Sequence, residues 1–211
     1  MERRLYIDST KLFCMRRILL FCFPAFFAFN SFGQTYYDNK IAGIKIQEPL
    51  GWIVLADTMQ DKKLQDFDAT QLARFLDSTK KGILLRTYYK YSPDTASGLI
   101  PTVKLAIRLN NASDFEGFKK LIRFGFDNLK RALGDVQAID TIQVVTLSGK
   151  DCLYYSCSYS IKLKGDISVE VRSKYYMVPK GKYFISINLI DDDSGKNCSE
   201  LYDGLLKSLE L

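Results

Sequence analysis

The 211-residue chain contains no histidine, and that absence removes several chemistries at once. Without imidazole there is no Ser-His-Asp or Cys-His nucleophile pair and no histidine ligand for zinc. Neither a Gly-x-Ser-x-Gly elbow, nor a Gly-Lys-Ser/Thr phosphate loop, nor a Cys-x-x-Cys pair occurs, and no cofactor-binding motif is present. Tryptophan occurs once and proline five times. No apolar run approaches the ~20 residues that cross a bilayer as a helix. The charge is also modest: a formal +6, with five Lys/Arg against two Asp/Glu in residues 1–33, leaves only +3 for the remainder. That is no nucleic-acid footprint, which requires a clustered basic face and a higher pI.

What the chain does contain is an ordered composition and an export signal. With 47% apolar residues, thirteen Tyr and fourteen Phe, it can bury a proper core, and one domain is expected. Arg16-Arg17 precedes twelve apolar residues, Ile18 to Phe29, and then Ser31 and Gly33 at −3 and −1. Basic region, short apolar run and small-residue site together read as a secretory signal peptide over residues 1–33, with Gln34 opening the mature domain. Pro24 interrupts the run, which argues against an uncleaved anchor. Met15 is an alternative start. The expected location is therefore periplasmic or secreted, and the processed protein is not an integral membrane protein.

Three cysteines lie beyond the leader. Cys152 and Cys157, five apart in a strand-like stretch, would sit roughly 16 Å apart on opposite faces and cannot bridge each other. Cys157 shares parity with Leu153, Tyr155, Tyr159 and Ile161 and is expected in the core. Cys152 and Cys198 remain as a candidate disulfide in an oxidising compartment.

The alternation of apolar residues predicts strands over 41–47, 52–55, 83–91 and 103–109, and a short helix near 68–80. Ser113 and Glu116 form a candidate capping box. The helix to 133 that follows has Phe115, Phe118, Ile122, Phe126, Leu129 and Leu133 on one stripe, and Gly134 ends it. Four strands are expected next, over 136–146, 150–163, 167–178 and 182–190. Ser148-Gly149-Lys150, Lys164-Gly165-Asp166 and Pro179-Lys180-Gly181 supply turn chemistry between them. Leu201, Leu205, Leu206 and Leu209 mark a last helix.

This succession resembles the PsbP-like family, which includes extrinsic proteins of photosystem II, a Ran-binding nuclear transport factor and many exported bacterial proteins. Three pieces carry the likeness. The first is the strand and turn Ile44-Lys45-Ile46-Gln47-Glu48-Pro49-Leu50-Gly51-Trp52. The second is the long helix ahead of a four-strand meander. The third is Gly181-Lys182-Tyr183-Phe184-Ile185-Ser186-Ile187 ahead of a Leu-rich helix. The resemblance covers roughly residues 40–211. It implies an α+β fold, an antiparallel sheet flanked by helices in an α/β/α sandwich, and no reaction. Photosynthetic members are associated with calcium and chloride retention, but no residue set here matches such a site.

Two surfaces stand out. Asp191-Asp192-Asp193-Ser194-Gly195 is the one carboxylate run suggestive of a hard cation, although the EF-hand spacing is missing and a solvated turn explains it as well. Strand parity also places Arg86, Lys90, Lys104, Arg108, Arg172 and Lys174 on polar sides together with Tyr88, Tyr154 and Tyr176. If those sides share one sheet face, they form a basic, aromatic surface for an anionic ligand or an acidic protein. The bland alternative is an ordinary wet sheet face. The expected function is an exported, non-catalytic binding or accessory module. A small carboxylate- or cation-dependent hydrolase and a structural envelope protein are the alternatives. A concave pocket with converging carboxylates would favour the hydrolase.

Overall fold

Three long antiparallel strands form the middle of the molecule: β8 (Lys150–Lys162), β9 (Ser168–Lys180) and β10 (Tyr183–Asp192). The computed structural model describes residues 34–55, 67–79, 82–96, 98–134, 136–138, 140–162, 168–192 and 198–211. Expectations for residues 1–33, the Lys80-Lys81 stop, the turn at 164–166 and Asp193-Ser194-Gly195 lie outside the described residues. Tight turns hold the meander in register. Ser148 and Gly149, both at positive φ (50° and 73°), reverse the chain into β8. Gly181 (φ 63°) reverses it between β9 and β10. Such turns match the twist of the strands they join, and the left-handed backbone explains the glycines.

On the far side of β10 come β5 (Thr102–Leu109), β4 (Ile83–Tyr89) and the short edge strand β3 (Ile53–Leu55). The sheet order is β3-β4-β5-β10-β9-β8, with β6 (Gln137–Ala138) and β7 (Gln143–Leu147) both pairing with β8. A separate hairpin of β1 (Tyr36–Asn39) and β2 (Ile44–Gln47) opens the domain. Helices α1 (Ala69–Thr79), α2 (Phe115–Leu133) and α3 (Ser199–Lys207) complete the fold.

Both faces of the sheet are covered. On one, Leu105, Ile107, Ile185, Ile187 and Cys152 pack with Ile44 and Ile46 of β2, Leu72 and Leu76 of α1, and Tyr202 and Leu205 of α3. On the other, Phe118, Ile122 and Phe126 of α2 pack on Leu153, Tyr155, Cys157, Met177 and Phe184. The register explains this division, because side chains alternate faces along each strand. The α/β/α sandwich is thus present, and Cys157 lies in the α2-side core as its parity predicts.

Four local expectations are corrected. The first strand begins at Tyr36, and residues 41–43 are a turn. The single strand expected over 136–146 is two short strands, with Asp140 between them. The α2 cap is Asp114, one residue after Ser113: its Oδ1 accepts the Gly117 N–H at 2.7 Å. A bulge between Leu84 and Arg86 shifts the β4 register. Leu85, Arg86 and Tyr88 consequently fall on the α1/α3 side, and Tyr88 is buried there (1% exposed), not on a polar surface.

Candidate functional site

A cavity of about 300 Å³ opens on the α1/α3 side of the sheet, where β8, β9 and the end of β10 meet α3. Tyr154 and Ser156 of β8 and Arg172 and Lys174 of β9 line it, because β8–β9 register pairs Tyr154 with Tyr176, Ser156 with Lys174 and Ser158 with Arg172 on one face. Asp140, Asp191, Tyr202, Ser173 and Ser199 add to its polar lining. Its volume is at the small end for ligand pockets.

The two carboxylates have different roles. Asp191 is buried and both its oxygens are engaged: Oδ1 accepts the Asp192 N–H at 2.9 Å, and Oδ2 accepts the Cys198 N–H at 2.8 Å. It therefore ties the end of β10 to the start of α3. Asp140 spends one oxygen: Oδ2 accepts the Tyr154 hydroxyl at 3.0 Å and the Ser156 hydroxyl at 2.6 Å. Among the described residues it has no cation within ion-pair distance, and Lys174 has no carboxylate within that distance. Arg172 donates from Nη2 to the Asp192 carbonyl at 3.0 Å, which fixes its guanidinium at the rim. Tyr202 donates to the Ile190 carbonyl at 2.6 Å. Burial pushes the Tyr154 hydroxyl above its ordinary pKa, and it pushes Tyr176 up to about 12. Tyr154 therefore stays a neutral donor to Asp140 at neutral pH.

The basic residues singled out in the sequence do not share a face. Arg86, Arg172 and Lys174 fall on the α1/α3 side with Tyr154 and Tyr176, whose ring centroids are 4.9 Å apart. Lys104 and Arg108 pair with Asn188 and Phe184 and fall on the α2 side. Arg86 stacks on the Tyr37 ring at 4.6 Å from its centroid, and Lys90 reaches the Cys198 sulfur at 3.4 Å. The cleft thus keeps Arg172, Lys174 and Tyr154 from the predicted set. It adds Asp140, Asp191 and Tyr202, which strand parity missed; the one available signal was Asp140 inside a strand pattern, where aspartate is disfavoured.

The acidic run does not converge. Asp191 and Asp192 are consecutive strand residues whose register places them on opposite faces, and Asp191 has already given both oxygens to backbone amides. The candidate Cys152–Cys198 disulfide is likewise not formed: Cys152, Cys157 and Cys198 are buried thiols, none of them in a disulfide.

No protein family and no curated protein matches this sequence. Solved structures do. The chain resembles cyanobacterial PsbP (CyanoP) from Synechocystis sp. PCC 6803 with a TM-score of 0.51 at 11% identity, over 87% of this chain and 96% of that one. LpqN of Mycobacterium tuberculosis, described as involved in cell envelope biogenesis, aligns with a TM-score of 0.47 at 13% identity, over 86% of each chain. A Bacteroides thetaiotaomicron VPI-5482 protein aligns with a TM-score of 0.45 at 14% identity, over 84% of this chain and 48% of its own length. The likeness to CyanoP bears out the PsbP-like fold, and at this identity it speaks to fold alone. No helix among the described residues is long and apolar enough to cross a membrane.

Proposed function

We propose that this protein is an exported, non-catalytic binding module that holds the anionic group of a ligand in the cleft between β8, β9 and α3. One observation carries the reading: Arg172 and Lys174 stand two residues apart on the same face of β9 and both line the cleft. Lys174 meets no carboxylate within ion-pair distance among the described residues. An ammonium in a half-buried cleft without a counter-ion gains from an arriving anion, since the effective dielectric there is lower than in water.

The cleft does hold two carboxylates, the feature that would favour a hydrolase. Paired-carboxylate catalysis needs both groups available to the substrate and to water. Asp191 is bonded to two backbone amides, so Asp140 alone retains an unspent oxygen. This argues for binding over hydrolysis. The leader over residues 1–33 supports export, with Gln34 as the mature N-terminus. Intact-mass analysis of protein from its native host tests that part, and retention of residues 16–33 would contradict it. For the cleft, titration calorimetry with phosphate, citrate and acidic sugars should detect a bound anion, and Lys174→Met with Arg172→Met should abolish the heat. Binding unchanged in the double variant would place the ligand elsewhere.

A further inference from the structure

Once the internal bonds of the cleft are subtracted, what remains unspent has both signs. Lys174 contributes an ammonium, and Asp140 contributes Oδ1, since both of its side-chain hydrogen bonds go to Oδ2. The two charges line one cavity of about 300 Å³, yet they do not pair with each other within 4.0 Å. Two opposite charges that line one cavity without pairing offer complementary contacts to a ligand that carries both signs.

We infer that the cleft takes a zwitterion, a free amino acid, whose carboxylate sits between Lys174 and Arg172 and whose ammonium reaches Asp140 Oδ1. This rests on the cleft being the ligand site. The geometry favours it over a plain anion in two ways. A ligand carrying only negative charge would gain at Lys174 but would meet the Asp140 carboxylate inside the same small cavity. Tyr154 and Ser156 hold that carboxylate by donating to Oδ2, which leaves Oδ1 of a cavity-lining residue as an acceptor for a cationic donor. An amino acid's two charged groups are attached to one carbon, so a single small molecule satisfies both sites. Leu189 and the Tyr202 ring add apolar surface to a lining that also includes Ser173 and Ser199.

Calorimetry on the purified protein with the free L-amino acids, their N-acetyl forms (anion only) and their amides (cation only) tests this. At least one free amino acid should bind, with its N-acetyl and amide forms at least tenfold weaker. Asp140→Asn, which keeps an acceptor for Tyr154 and Ser156, should remove the preference for the free amine over the N-acetyl form. Lys174→Met should weaken the carboxylate-bearing ligands and leave the amides unaffected. It serves alone if Asp140→Asn fails to fold. N-acetyl amino acids binding as tightly as free ones would overturn the zwitterion while leaving an anion site intact. Binding of phosphate or citrate with no free amino acid bound would do the same. Absence of every anion, amino acids included, would overturn both readings.

Discussion

Asp191 Oδ2 accepts the Cys198 backbone N–H at 2.8 Å, joining the last strand to the last helix across seven residues of chain. This contact accounts for an acidic residue and a cysteine that the sequence alone suggests for a cation site and a disulfide. It also fixes one wall of the cleft, since α3 begins there and brings Tyr202 to the lining.

Removing that carboxylate takes its acceptor from the buried Cys198 amide and one acceptor from the half-buried Asp192 amide. Asp191→Ala is expected to destabilise the protein by about 1–3 kcal/mol. Asp191→Asn, which keeps an acceptor, should cost less. Because the carboxylate is committed to amides, calcium or EDTA should leave the thermal midpoint of the wild type in place. A calcium-dependent rise in midpoint that disappears in Asp191→Asn would contradict this.

The thiols should be inert while the protein is folded. Burial raises Cys152 and Cys157 to about 11, and it raises Cys198 as well, ahead of the nearby Asp191 charge. Little thiolate exists at neutral pH, and a reagent has no access. Thiol labelling without reductant should modify none of the three before denaturant is added and all three afterwards. Two unreactive thiols in the denatured state would signal a disulfide.

The α2 stripe should matter through packing. Phe118 is fully buried, edge-on to Phe184 at 5.4 Å between centroids, and Phe126 lies 4.8 Å from Tyr155. Either Phe→Ala truncation should cost about 3–5 kcal/mol. Lys119 forms a surface pair with Glu116 at 2.6 Å, so Lys119→Ala should cost no more than about 1 kcal/mol. Denaturant titrations distinguish the cases.

Alkaline pH should unfold the protein early. Tyr175 and Tyr176 are each raised from 10.0 to about 12, and Cys152 and Cys157 from 9.0 to about 11, with burial the leading cause in each. These acids hold their protons more tightly in the folded state. Their contribution is complete below the unfolded values and is lost as pH rises from about 9 toward 12. Stability measured by denaturant should be flat through neutral pH and fall across that window; a flat profile to pH 11 would contradict the burial of these groups.

Much of this fold is legible in the sequence where local chemistry decides. Gly134 and Gly181 lie at positive φ, and the stripe Phe118, Ile122, Phe126 faces the sheet. The cap moved by one because Ser113 and Asp114 are both good caps and only the geometry chooses Asp114. The site was less legible for two physical reasons. Parity along one strand is local, but which polar sides meet depends on register between strands, and that puts Lys104 and Arg108 opposite Arg172 and Lys174. A single extra residue near Leu84 then turns Tyr88 from the predicted surface into the core. Asp140 enters the cleft only because a continuous strand pattern breaks there, which periodicity does not report.

The face the ligand uses is the central claim, and amide chemical-shift mapping during an amino-acid or anion titration tests it most directly. Shifts are expected to concentrate at Asp140, Tyr154, Ser156, Arg172 and Lys174, on the α1/α3 side, with Lys104 and Arg108 unmoved. Shifts gathered around Lys104 and Arg108, with Arg172 and Lys174 silent, would place the ligand on the opposite side of the sheet and contradict it.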